Sequence, residues 1–220
     1  ANVSHELRTP LTVLKGYLEM AEQAPSPAMW SKMQRVMLEQ TVRMDTLVNQ
    51  LLALSRIEAA PDIDLNRVVD VPAMLSLLEQ EARTLSGEAA HQFEFRVDRT
   101  LTIHGDGDQL RSAVSNLVNN AIKYTPPGKR ILVEWQRLGG RARFAVSDEG
   151  EGIAPEHLGK LTERFYRVDR ARSRQTGGAG LGLAIVKHAL SHHDAQLEVQ
   201  SEPGKGSCFS FIIPARLVVR

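Results

Sequence analysis

Residues 3–11 read VSHELRTPL and place a histidine, a glutamate and a threonine within about one turn of a helical pattern. His-Glu opens the H-E-x-x-H zinc signature, yet position 9 is Thr9 rather than a second histidine, so a zinc-protease helix is excluded. Pro10 cannot donate a backbone hydrogen bond and crowds the carbonyl of Glu6, which predicts a bend one turn after His5. At ~100° per residue His5 lies roughly 160° from Val3 and Leu7, with Thr9 one turn later on the same face. An exposed imidazole beside a carboxylate and a helix bend is the expectation.

A second group is the glycine-rich run TGGAGLGLAIVKH at 176–188, which leads into a helix. Backbone amides at such a junction are free of side chains and sit at the positive end of the helix dipole, which suits a polyphosphate. There is no G-K-[ST] ending, so this is not a Walker P-loop. The spacing is not G-x-G-x-x-G, and polar residues precede it where a dinucleotide fold needs a strand. DEGEG at 148–152 puts two glycines after an acid at a strand end. Asp148 can accept from an amino group such as that of adenine, or can be a turn residue before Gly150. In NLVNNAIKY, Asn116 and Asn120 share a helix face, with Lys123 and Tyr124 a turn further. Amide oxygens can help ligate Mg²⁺, which keeps several waters and takes other ligands from phosphate. Lysine supplies charge for phosphate and the tyrosine ring a surface for a base. Two asparagines inside one helix are mildly disfavoured and need a reason.

Other features carry less. His188 and His192 have helical i, i+4 spacing with His193 adjacent, but no third spaced ligand accompanies them, and a solvated face is expected. DGDQLRS fails the EF-hand pattern, because Arg111 stands where glycine is required. RVDRARSR reads as a charged lid segment rather than a nucleic-acid patch. Cys208, the single cysteine, lies in the apolar alternation CFSFII as an inert thiol and excludes an internal disulfide.

The elements that must hold these residues follow from periodicity. Val3, Leu7, Leu11, Leu14, Leu18 and Ala21 form a near-heptad seam, and Trp30, Met33, Met37, Gln40, Met44, Leu47, Leu51 and Leu54 form another. QAPSPA between them breaks the pattern, so a helical hairpin is predicted. One narrow stripe per helix favours dimerisation into a four-helix bundle, with Gln40 as a register-setting polar residue; packing on the rest of the chain is the alternative. EAAPDIDLNRVVDVP reads as a linker. Beyond it lie a helix at DVPAMLSLLEQEARTLSG, strands at QFEFRV and LTIHG, and a helix capped by Asp106 and Gln109. A hairpin turned at Gly139-Gly140, a helix at LGLAIVKHALSHH and a final hairpin complete the pattern. The expected fold is α+β in two domains: residues 1–60 as hairpin, 61–71 as linker and 72–220 as a two-layer α/β sandwich.

The 220 residues carry a formal charge of +1, so no strong field points to nucleic acid or an anionic membrane surface. No apolar run reaches the ~20 residues of a membrane helix. The chain begins inside a helical pattern, which reads as a piece of a longer protein with any sensing or membrane segment upstream. A cytoplasmic fragment of a bacterial inner-membrane protein is expected.

Together these motifs resemble those of the sensor histidine kinases of two-component signalling. HELRTP is similar to their phosphoacceptor box, NLVNNAIKY to the N box, DEGEG to G1, RFYR to the F box and GAGLGL to G2, in the family's order and across essentially the whole chain. Within the family, LSRIEAAP and LTERFYRVDRARSRQTGGAGLGLAIVKHALSHH are most similar to the phosphate-regulon sensors. The resemblance implies a dimeric four-helix bundle and a nucleotide domain of the histidine-kinase/gyrase/Hsp90 type. It implies ATP and Mg²⁺ as cofactors, a homodimer, and a PhoB-like response regulator receiver domain as partner, with a phosphatase activity toward it. His5 would take the γ-phosphoryl group on Nε2, Glu6 would hold the Nδ1 proton, and Thr9 would place a water for dephosphorylation. Pro10 would relax the helix where the domains meet. Asn120 and Asn116 would bind Mg²⁺, and Asp148 the adenine amino group with Gly150 and Gly152 beside it. Lys123, Tyr124, Phe165, Arg167, Gly178, Gly180, Leu181, Gly182 and Leu183 would line the nucleotide, with residues 152–178 as a lid. Glu149 departs from the family's usual asparagine and could weaken ATP binding unless it faces solvent. An ATPase of the same fold doing conformational work, or a non-catalytic dimer scaffold, are the rival readings.

Overall fold

A computed structural model describes residues 2–23, 26–59, 63–168 and 179–219. Gly178, residues 169–177 of the expected lid, Ala24 and Pro25 of the hairpin loop and residues 60–62 lie outside that set. The chain divides into two compact units, one built on residues 1–53 and the other on 54–168 with 180–220.

The first unit holds helix α1 (Asn2–Ala21) and most of α2 (Pro27–Ala59). α1 runs on through Pro10, whose ring is buried. The hydroxyls of Thr9 and Thr12 donate to the carbonyls of His5 and Arg8 at 3.2 and 2.9 Å, a local back-bonding that flanks the proline. The α2 seam appears from its second position on: Met33 and Leu47 are buried, with Met37, Gln40, Met44 and Leu51 half-buried, while Trp30, expected to open the seam, is exposed in the first turn. The α1 seam needs a correction. Val3, Leu7, Leu14 and Ala21 are half-buried, but Leu11 and Leu18 are exposed. A straight helix drifts by ~20° per heptad against a strict seven-residue repeat, so one stripe divides into two faces. α2 shows the same division, because Leu38, Val42, Val48 and Leu52 lie exposed beside its buried seam.

The last turn of α2 belongs to the larger unit, where Leu54 and Ile57 are buried. Glu58 pairs there with Arg164 and sits 3.2 Å from His188 Nε2. The expected linker carries structure: β1 (Val68–Val69) pairs antiparallel with β3 (Ile103–His104). α3 (Val71–Ser86) then starts at Asp70, whose carboxylate accepts from the Ala73 amide at 2.9 Å, with Pro72 in the first turn.

The main sheet has strand order β2-β4-β5-β7-β6, made of β2 (Gln92–Val97), β4 (Arg130–Leu138), β5 (Arg141–Asp148), β7 (Gly206–Ile213) and β6 (Glu198–Glu202). β2 joins parallel to β4 and the other pairs are antiparallel. Leu138 pairs with Arg141 across Gly139 and Gly140, both at positive φ, which is the two-residue turn whose twist suits a hairpin.

Alternation decides the two faces of this sheet. Ile131, Val133, Trp135, Phe144, Val146, Phe209 and Phe211 are buried on one side. Phe144 stacks on Phe211 at 5.1 Å, and the Trp135 indole donates to the Leu101 carbonyl at 2.9 Å. The opposite side carries a charged lattice in which Glu94 meets Arg96 and Arg130, and Glu134 meets Arg96 and Arg143. α3 and α4 (Gly107–Tyr124) join α6 (Gly182–Ser191) as the helical layer, while short α5 (Pro155–Leu158) lies by β6. α4 buries Leu110, Val114, Leu117, Val118 and Ala121, one face of a 3.6-residue period. Its N-cap Asp106 accepts from the amides of Asp108 and Gln109, worth about 1 kcal/mol. Gln109 does not complete a capping box, since its Oε1 accepts from the His192 ring at 3.0 Å.

Candidate functional site

His5 and Thr9 are both exposed on α1, so the outward face derived from the helical wheel is the observed one. Glu6, next to His5, turns toward the other helix and lies 3.6 Å from the Arg43 guanidinium. Sequence reading missed Arg43, although a charge beside the seam residue Met44 is the usual position for a cross-helix pair.

In the larger unit three stretches converge. α4 supplies Asn116 and Asn120, both half-buried, while Asn119 is exposed and off that face. The Asn116 amide nitrogen donates to the Ser112 carbonyl at 2.8 Å, and its oxygen is turned toward Gly182. That oxygen lies 2.7 Å from where a Cβ on Gly182 would stand, so the start of α6 needs glycine to pass the asparagine. The far end of α4 meets the DEGEG turn, where a Cβ on Gly150 would fall 2.6 Å from the Tyr124 carbonyl. Lys123 Nζ lies 5.1 Å from the Tyr124 ring centre, and the ring itself is half exposed.

Asp148 ends β5 on the inward side of the sheet, partly buried. Burial pushes its carboxyl up from the ordinary value, and backbone N–H donors from Gly150, at 2.8 Å, and Ser207 pull the other way. Burial is the larger cause. A half-dry carboxylate with acceptor capacity left over suits an amino group on a planar base. Glu149 settles differently from the concern its charge raised. Its side chain is exposed and accepts from the Arg130 backbone N–H at 3.3 Å, at the start of β4.

Gly152 has φ +70°, and a Cβ there would sit 2.0 Å from the Glu202 carbonyl. The turn after β6 therefore backs the DEGEG loop, a packing that no local motif announced. The RFYR and glycine-rich stretches are knitted together: the Phe165 N–H donates to the Gly180 carbonyl at 2.9 Å. Both residues take positive φ, +64° and +71°. Tyr166 carries its hydroxyl to His157 Nδ1 at 2.7 Å. Arg167, Gly180, Gly182 and Leu183 are half-buried. Leu181, also expected along the nucleotide, is 0% exposed, so its side chain belongs to the core.

The histidine run holds the helical layer together. His193 is fully buried; its Nδ1–H donates to the Ala189 carbonyl at 2.7 Å and its Nε2 accepts from the Asp106 amide at 3.0 Å. Burial pushes its pKa down, so the ring is neutral. Among the described residues no group of three His, Cys, Asp or Glu side chains is arranged to hold a metal ion. No helix among them is long and apolar enough to cross a membrane.

Comparison with known proteins gives two domain matches. Residues 1–60 match the His Kinase A (phospho-acceptor) domain, and residues 105–217 the histidine kinase-, DNA gyrase B-, and HSP90-like ATPase. The chain is 46% identical over 220 residues to the phosphate regulon sensor protein PhoR of Haemophilus influenzae, covering all of this chain and 51% of that protein. It is 38% identical over 217 residues to the sensor-like histidine kinase SenX3 of Mycobacterium tuberculosis, covering 98% of this chain and 53% of that one. The chain thus spans about half the length of the curated relatives it matches. Among solved structures, the Acinetobacter baumannii histidine kinase AdeS shares the fold with a TM-score of 0.74 at 23% identity, over 96% of this chain and 98% of that one. ShkA, solved in complex with AMPPNP, aligns with a TM-score of 0.71 at 28% identity over 96% of this chain and 44% of that one. With a phospho-acceptor domain ahead of an ATPase domain of this type, the chain belongs to the sensor histidine kinases.

Proposed function

We propose that this chain is a kinase core that transfers the γ-phosphoryl group of Mg-ATP to His5 and then to an aspartate of a PhoB-like response regulator. Residues 1–60 serve as the dimerisation and phosphotransfer domain and 72–220 as the catalytic domain, joined by 61–71. The joining stretch already lends β1 to the catalytic unit. The observation that carries the reading is an exposed imidazole in HELRTP on one unit, combined with a partly dry Asp148 and an Asn116–Gly182 cradle in the other.

The chemistry follows from the residues. Asp148 accepts from the adenine amino group and penalises a base without that donor. The amides around Gly180 and Gly182 lie along the phosphates at the start of α6, with Lys123 and Arg167 supplying charge. Oxygen donors suit Mg²⁺, and the Asn116 oxygen with Asn120 a turn later would hold it. Bound there, Mg²⁺ would neutralise charge on the triphosphate. His5 Nε2 attacks the γ-phosphorus, a nitrogen–phosphorus bond forms, and the bond to the ADP oxygen breaks. Thr9, exposed one turn on, places a water for the reverse task of dephosphorylating the regulator. The likeness to PhoR supports a role in phosphate-starvation signalling and a membrane-anchored parent. The exposed stripes of α1 and α2 support a homodimer.

Incubation of the chain with γ-labelled ATP tests the reading. Acid-labile label is expected on the wild type and absent from His5→Gln, while calorimetric Mg-ATP binding stays unchanged. Added regulator should remove the label from the kinase. Label that survives in His5→Gln, or no Mg-ATP binding at all, defeats the proposal.

A further inference from the structure

His5 and Glu6 are consecutive on α1, and consecutive helical side chains diverge by about 100°, so the backbone alone does not bring them together. Something must steer the carboxylate if it is to serve the imidazole. Glu6 lies toward α2 with its side chain 31% exposed, and Arg43, at 16%, is more enclosed still. A guanidinium that enclosed is fixed by its packed stem, and 3.6 Å separates its Nη2 from Glu6 Oε2. One carboxylate oxygen is thereby engaged and the other remains for a second donor.

We propose that Arg43 is a positioning residue for phosphorylation of His5: it holds Glu6 by one oxygen so that the other accepts from His5 Nδ1–H. This rests on the kinase reading above. With Nδ1 kept protonated, the lone pair stays on Nε2, which attacks the γ-phosphorus. As the nitrogen–phosphorus bond forms and ADP departs, the Nδ1 proton becomes acidic and passes to Glu6, then to water. Arg43 lies on the second helix of the same hairpin unit as His5 and Glu6.

The test is a double-mutant cycle in the whole chain, with autophosphorylation kinetics as readout. Arg43→Met keeps the packed stem and removes the charge. It should lower kcat roughly tenfold to a hundredfold, as loss of alignment does, with KM for ATP and calorimetric Mg-ATP affinity unchanged. Arg43→Lys should recover part of the rate. In a Glu6→Gln background, Arg43→Met should add no further loss. Wild-type kcat in Arg43→Met, or an equal loss in the Glu6→Gln background, overturns the proposal. If Arg43→Met does not fold, Arg43→Lys is run through the same cycle and judged by the same non-additivity. Absence of acid-labile label on the wild type would instead count against the kinase reading, so the two failures are told apart.

Discussion

Asp148 shows how a half-buried carboxyl kept for a proposed site acts on the fold. A carboxyl whose folded pKa is raised stabilises the native state only while protonated. That contribution is complete below the unfolded value near 3.8 and fades as pH climbs through the folded one. Above the folded value the ionised group works against folding. Asp148→Asn, which keeps one oxygen to accept from the Gly150 amide, should raise the melting temperature at pH 7.5 by on the order of 2 °C. The gain should shrink toward zero near pH 4, while Mg-ATP affinity falls at every pH. Scanning calorimetry at both pH values with binding titrations would check this. Glu149 beside it makes the contrast: an exposed acid that bonds a strand's first amide has little reach into the pocket.

Between elements, the contacts that matter are those where backbone meets backbone. A Cβ at Gly180 would stand 2.8 Å from the Tyr166 carbonyl and 2.9 Å from Phe165, at a φ of +71°. Gly180→Ala should lower both melting temperature and Mg-ATP affinity, the latter at least tenfold if the turn shifts by about 1 Å. Gly159→Ala, whose added Cβ meets nothing within 4 Å, should leave both unchanged. Much of this was open to sequence reading. The α4 cap at Asp106, the turn at Gly139-Gly140 and the outward face of His5 are local signals, set within a few residues. What stayed hidden depends on partners distant in sequence. Gln109 goes to His192, Glu149 to Arg130, Glu6 to Arg43, and Gly152 leans on Glu202. For Leu181 the motif names a residue without saying whether its side chain or its backbone is used, and the side chain is buried.

For the molecule as a whole, the hairpin's second apolar stripe sets the expected assembly. Leu38 is 66% exposed and Val42 58%, and Leu52 lies on the same side. Neither Leu38 nor Val42 belongs to the buried seam, so charges there should spare the hairpin and spoil only a contact with another copy. Leu38→Glu with Val42→Glu is expected to convert a dimer to a monomer in light scattering, with helical circular dichroism retained. A monomeric wild type would remove the basis for the dimer.

The hydrogen bond from Phe165 to Gly180 ties two points fifteen positions apart in the chain to one another. Whatever lies between them leaves and returns at a single knot. Since closing a loop costs only about 0.6 kcal/mol more for each doubling of its length, that stretch can be lengthened or exchanged by evolution as a cassette. The walls of the pocket would stay in register through such changes.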